Sequence, residues 1–349
     1  MMTTRPPLFP LNNRCARKGE QGFSLVELMI SIVIGLLIVT ALLAVYLNST
    51  SASTSNQNTS ELLNNGRFAL DTLREDLRQA GFKGYSWALP NTPTTTLTPI
   101  TNECLESGAT AGTFVANIAQ GVWGANDANP FSGGTNCLPN YLQGDVLVIR
   151  RLDSTPVTTL NSGTFYYRSN YAMGEVFRGA PTTACSAAPQ STYTSPFNKV
   201  PCIVGTPSQD LLNFPVIVHV YYIRSYTTST TESPLLPALV RVSLQTDGSM
   251  ASEVVASGIE NLQLQYGRAS TDGNTRYYDA SSISGNSTTP DGTEWTDVDS
   301  VRLWLLARNS TKEPTYTNST TYAMGTSSST VSDNYRRQLF NTVVQLRNP

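Results

Sequence analysis

From Leu28 to Leu47, 20 consecutive positions carry no charged side chain, and 15 of them are Leu, Ile, Val or Ala. As a helix rising ~1.5 Å per residue, such a run spans about 30 Å, the depth of a bilayer core, which predicts one membrane crossing. No later segment is apolar enough to cross back. No proline occurs between Pro10 and Pro90, so Phe23 to Ala80 is free to be helical. In its middle "NSTSASTSNQNTS" (48–60) is a poor helix former and predicts a soft, partly melted joint. The following "ELLNNGRFALDTLREDLRQAGF" sets Leu63, Leu70, Leu73, Leu77 and Ala80 on a stripe able to pack on a sheet, three or four apart from Leu70 onward. Gly81 reads as a C′ cap, with Phe82 at C″ reaching Leu77 at C3 in a Schellman motif.

Beyond that point the period shortens to two. "GDVLVIRR" (144–151), "FPVIVHVYYIR" (214–224), "PALVRVSLQ" (237–245), "GIENLQLQYG" (258–267), "VDSVRLWLLAR" (298–308) and "FNTVVQLR" (340–347) are β-branched or aromatic and partly alternating, as strands are. In the fifth, Val301, Leu303, Leu305 and Ala307 share one face. The stretches 86–143 and 268–296 are rich in Ser, Thr, Pro and Gly and are expected to lie outside the core. The fold class that reconciles these parts is α+β: a long N-terminal helix whose second half packs on an antiparallel sheet.

Composition sharpens the compartment. Of the 349 residues 40% are hydrophobic, enough for a sizeable core, but only 14% are charged, against roughly 25% in ordinary soluble domains. A net charge of -2 and a pI near 5.5 argue against a strongly basic nucleic-acid binder, and no specific nucleic acid is expected as a partner. Arg5, Arg14, Arg17 and Lys18 precede the apolar run, whereas the first basic residue after it is Arg67, so the positive-inside rule leaves the N-terminus in the cytoplasm and exports the rest. Cys15 then stays on the reducing side. Cys104, Cys137, Cys185 and Cys202 lie in the exported part, where two disulfides can form in three connectivities; because a short loop is cheaper to close, Cys104 with Cys137 and Cys185 with Cys202 is favoured.

Candidate chemistry is sparse. His219 sits in a strand pattern and reads as a packed or sheet-surface residue rather than a base. No GxSxG, HExxH or P-loop pattern occurs, and "DGNTRYYD" (272–279) lacks the order of a calcium loop, so neither catalytic residues, a cofactor nor a metal is expected. Tyr221, Tyr222, Tyr277 and Tyr278 suit a core rim better than a stacking platform. "YRRQLFNTVVQLRNP" reads as a strand with Arg336, Arg337 and Arg347 solvated on one face and Leu339, Val343 or Val344 on the other.

A short basic leader ending in Gly22, then Phe23, then Glu27 at the head of the apolar run, is more specific than a secretory signal, whose core is about 7–15 residues. "TSAS" at 50–53 offers only a weak cleavage site for that alternative, and a plain signal anchor leaves Gly22, Phe23 and Glu27 unexplained. "KGEQGFSLVELMISIVIGLLIVTALLAVYL" resembles the type III signal of type IV prepilins and pseudopilins. The resemblance implies cleavage between Gly22 and Phe23 by a prepilin peptidase, N-methylation of Phe23, and an assembly role for Glu27 opposite the terminal amine of a neighbouring subunit. A carboxylate in the first helical turn is also favoured by the helix dipole, by roughly 0.3–1 kcal/mol.

"NNGRFALDTLREDLRQAGFKGY", "VVASGIENLQLQYG", "VDSVRLWLLARN" and "YRRQLFNTVVQLRN" are similar to PilW-type minor pilins, relatives of the J-type minor pseudopilins of type II secretion. The implied layout is a leader at 1–22, a transmembrane and filament-core helix at 23–47, the second half of that helix at 48–82, and an exported β-rich head at 83–349 with a pilin-like fold. The implied role is non-enzymatic: pilus assembly and priming, with a place in a tip complex, supporting twitching motility and adhesion. Its partners would be the prepilin peptidase, other minor pilins and the major pilin, the inner-membrane assembly platform, a tip adhesin, and membrane lipid before assembly. The alternatives are a minor pseudopilin of a type II secretion system and, from another class, a surface adhesin or DNA-uptake module.

Overall fold

The computed structural model describes residues 22–84, 86, 100–131, 137–157, 159–169, 174–179, 212–270, 272–287 and 293–348. The chain divides into two compact units, Met1–Thr54 and Ser55–Pro349. The first contains the opening part of helix α1, which runs Leu25–Gln79. Ser24 sits just before it and its carbonyl accepts the Leu28 N–H at 3.0 Å. "SLVE" thus has the spacing of a capping box, with Glu27 in the first turn.

The soft joint expected at 48–60 is helical instead. Several of its hydroxyls are turned back onto the helix backbone. Thr50, Thr54 and Thr59 donate to the carbonyls of Tyr46, Thr50 and Ser55 at 3.0, 3.0 and 2.8 Å, so side chains that would compete for the backbone in a coil are satisfied on the helix itself.

In the larger unit α1 buries Asn58, Leu62, Gly66, Ala69, Leu73, Asp76 and Leu77. This face is rotated from the expected stripe: Leu73, Leu77 and Ala80 are on it, but Leu63 and Leu70 are only half-buried. Between Leu62 and Leu73 the contact is made by Gly66 and Ala69, small residues outside the expected stripe. The Phe340 ring lies against Gly66, and a Cβ there would collide with it. The helix end also differs from the Schellman expectation. Gly81 is left-handed (φ 73°), but its N–H donates to the Arg150 carbonyl at 2.9 Å rather than back into the helix. Leu152 N–H then donates to the Phe82 carbonyl at 2.9 Å, so the chain leaving the helix is stitched to a strand.

The strands are β1 (Val122–Ala125), β2 (Val146–Leu152), β3 (Phe165–Ser169), β4 (Gly174–Arg178), β5 (Leu212–Arg224), β6 (Ala238–Leu244) and β7 (Met250–Ser257). They continue as β8 (Ile259–Ala269), β9 (Thr275–Tyr278), β10 (Val298–Arg308), β11 (Thr321–Met324), β12 (Ser327–Thr330) and β13 (Arg337–Gln345). All pairings between them are antiparallel. β1 to β7 form one sheet centred on β5, with β2 on one side and β3 and β6 sharing the other. A second sheet runs β13-β10-β8-β9, and β11 and β12 make a separate hairpin. Every one of the six expected strands is present, and Val301, Leu303, Leu305 and Ala307 are buried together.

The stretches expected to stay outside the core contribute to it. Phe114, Trp123 and Phe131 from the first, and Ile283 and Trp295 from the second, are buried. Their rings meet: Phe114 with Phe131 at 5.4 Å, Trp123 with Trp295 at 6.0 Å, Trp295 with Tyr266 at 4.8 Å. The apolar runs "TFVANI" and "GVWGA" are too short to show a period among turn-forming neighbours. Arg337 is a further correction, since its side chain is only 3% exposed and chelated by Glu260 and Asp333 rather than solvated.

Candidate assembly surface

The opening part of α1 presents an unusual surface. Every large apolar side chain from Leu25 to Leu47 is exposed, and Phe23, just before the helix, is 78% exposed. No part of the most apolar window is buried, and its mean hydropathy is 3.0. A continuous apolar surface of this length marks contact with lipid or with other protein. Glu27 is the only charged side chain between Gly22 and Ser60. It is exposed in the first turn, where free N–H groups and the helix dipole favour a carboxylate, and its carbonyl accepts the Ser31 hydroxyl at 2.7 Å. Gly22 and Phe23 precede the first turn in non-helical backbone, both exposed.

Two family models match the chain. Residues 17–43 match the prokaryotic N-terminal methylation motif, which contains Gly22, Phe23 and Glu27. Residues 220–348, from the second half of β5 through β13, match the type IV pilus-assembly protein W family. Together they are the matches of a PilW-type minor pilin. No curated protein and no solved structure matches the chain. The pilin-family matches point to a structural protein, and the apolar helix with its motif fits a pilin anchored in the inner membrane.

The larger unit holds its part of α1 against the first sheet through a polar cluster. Asp76 Oδ2 sits 2.6 Å from His219 Nδ1 and accepts the Tyr221 hydroxyl at 2.9 Å, while Oδ1 accepts from Arg151 Nε at 3.3 Å. Burial pushes the Asp76 carboxyl up, but the His219 ring, the Tyr221 hydroxyl and the Arg151 charge outweigh it and hold it below the ordinary range. His219 is therefore packed, as expected, yet the partner 143 residues away was missed. The available signal was Asp76 itself, an acid three residues after Leu73 on the face that packs.

Other buried polar groups anchor loops. Arg150 is fully buried, its Nε donating to the Phe114 carbonyl at 2.9 Å and its Nη2 to the Ser287 carbonyl at 2.5 Å. Burial lowers its pKa to about 9. Burial raises the Glu103 carboxyl to about 7 although the Gly112, Val115 and Phe114 N–H groups oppose it. Asp145 is likewise raised to about 7 by burial, with Asp127 and Asp279 adding to the rise, while it accepts the N–H groups of Asp127 (3.0 Å) and Leu264 (2.7 Å).

Cys104 and Cys137 are joined in a disulfide with Cα atoms 5.1 Å apart. Cys185 and Cys202 lie outside the described residues. Tyr221 and Tyr222 are fully buried and Tyr277 and Tyr278 half-buried. Among the described residues no group of three or more His, Cys, Asp or Glu is placed to hold a metal.

Proposed function

We propose that this minor pilin is cut between Gly22 and Phe23 by a prepilin peptidase, N-methylated on Phe23, and drawn from the inner membrane into a type IV pilus, where it primes assembly with other minor pilins. The observation that carries this is the helix surface exposed along Leu25 to Leu47, with Glu27 as its sole charge. The N-terminus lies in the cytoplasm before extraction, and the larger unit lies on the far side of the membrane. After the cut Glu27 is four residues from the new ammonium of Phe23, on the same helix side. In a bundle of such helices the carboxylate meets the amine of a neighbour, neutralising two charges that lipid disfavours by up to ~3 kcal/mol each at the bilayer centre. Twitching, adhesion and a place in a tip complex with an adhesin follow from that role.

Mass spectrometry of the mature chain tests the processing. A terminus at N-methylated Phe23 is expected; an intact leader or a start near Thr54 refutes it. A deletion strain tests the role. Loss of surface pili and twitching with protein secretion intact is expected, while failed secretion with normal pili assigns the chain to a secretion pseudopilus.

A further inference from the structure

Most arginines of the larger unit meet an acceptor. Arg268 reaches Glu294 and Asp297, Arg336 reaches Glu313, and Arg337 reaches Glu260 and Asp333. Among those for which the described residues supply no close acceptor, three stand together. Arg74, Arg78 and Arg347 line one groove of about 280 Å³ between the last turns of α1 and the end of β13. Arg74 has only a 4.0 Å pair with exposed Asp71, and neither Arg78 nor Arg347 has an acceptor among the described residues. Among the described residues no carboxylate lines this groove; the same three arginines border an adjoining hollow on the helix side, where Asp71 and Glu75 lie. Arg67 precedes Arg74 by seven residues, two helical turns, so it continues the same side of α1.

The other wall is an open sheet edge. Among the described residues β13 has a strand neighbour on one side only, β10. The register pairs Ser300 with Gln345, and the Leu346 N–H donates to the Asp299 carbonyl at 2.8 Å. Hydrogen-bonded pairs alternate along an antiparallel ladder, so Val344 and Thr342 point their backbone groups at β10, while Asn341, Val343 and Gln345 point theirs away. None of these three has a backbone partner on that outer side among the described residues. Val343 is also 51% exposed, an apolar side chain at the mouth of a basic groove.

We propose that the β13 edge takes an extended, acidic segment of a partner protein as an added strand, with Arg74, Arg78 and Arg347 meeting its carboxylates. Outward N–H and C=O groups recurring every second residue, about 7 Å apart, match the backbone of another strand. A nucleic-acid strand fits less well, because its phosphates would satisfy the guanidinium groups but have no donor for the edge carbonyls. The proposal rests on the assembly reading only for where the partner is met. An unprocessed N-terminus overturns that reading and leaves strand binding intact, whereas lost strand binding leaves processing intact.

The test uses the full chain in detergent micelles and a fluorescent, capped eight-residue peptide alternating Glu and Val, read by anisotropy. Binding is expected, with the Lys–Val counterpart at least about tenfold weaker and affinity falling with salt as exposed charge pairs are screened. Arg78→Glu and Arg347→Glu, both on side chains with no internal partner, should each weaken binding about tenfold, the effect of roughly one charge-assisted hydrogen bond. Val343→Pro removes an outward N–H and should weaken binding while leaving the melting midpoint unchanged. The proposal is overturned if the Glu peptide does not bind, if the Arg78→Glu, Arg347→Glu double variant binds it as wild type does, or if a short DNA duplex displaces it at equal concentration. Self-association of the chain alone that Val343→Pro abolishes would assign the edge to a second copy, and also overturns it.

Discussion

Removing the Asp76 carboxylate tests how α1 is fastened to its sheet. The side chain is nearly buried and serves three partners at 2.6, 2.9 and 3.3 Å, two of them on β5 and one on β2. Asp76→Ala leaves the Arg151 guanidinium, the His219 ring and the Tyr221 hydroxyl without the acceptor they share. Breaking one side of a buried pair costs about 3–5 kcal/mol. For a unit of this size, at roughly 2 °C per kcal/mol, the melting midpoint should fall by about 6–10 °C.

Asp76→Asn isolates the charge, and pH supplies the internal control. The carboxyl is held below its unfolded value, so its contribution is present above the unfolded pKa and is lost as pH falls through the folded one. The difference between wild type and Asp76→Asn should therefore be large near pH 7 and shrink in acid. Guanidinium denaturation of the purified protein at both pH values measures it. A loss under about 1 kcal/mol for Asp76→Ala at pH 7, below the range for a buried pair, or an Asn difference that does not change with pH, would falsify the fastening role.

Gly66→Ala should destabilise by about 1–3 kcal/mol because its methyl meets the Phe340 ring. In a Phe340→Ala background the sign should reverse, leaving the helix-propensity gain of up to ~1 kcal/mol; denaturant midpoints of the four chains decide it. Replacing Cys104 and Cys137 by Ala opens a loop whose ends are 33 residues apart and should lower stability by roughly 3–4 kcal/mol, and an unchanged midpoint would argue against the bond. Glu103, raised to about 7, stabilises most below its unfolded pKa and loses that contribution as pH rises through about 7. Glu103→Gln should flatten this part of the pH–stability profile, and a parallel profile counts against it.

The helix and the six long strands were legible because each repeats its apolar pattern for several periods, as Val301, Leu303, Leu305 and Ala307 do. The N-terminal methylation motif was legible because it is local, with Gly22, Phe23 and Glu27 inside six residues. What stayed hidden depends on residues far apart in sequence. Gly66 matters only because Phe340 lies over it, and Asp76 only because His219 does. Arg337 looked like a solvated cation until Glu260 came alongside. Composition also misled: Trp123 and Trp295 are single large rings in turn-rich stretches, and one ring fills as much core as a short periodic run.

Asn58 donates to Glu313 across 255 residues of sequence, and Gly66 waits for Phe340. A ribosome adding roughly 5–20 residues per second makes Leu62, Leu73 and Leu77 long before β10 and β13 exist. For about 13 to 50 s at that pace the ridge they form lacks the part of its cover that Glu313 and Phe340 supply, directly after the most hydrophobic segment of the chain. Folding of the larger unit therefore cannot proceed from one end to the other. Its packing is complete only when β13 arrives, and until then part of an apolar face made early stands open.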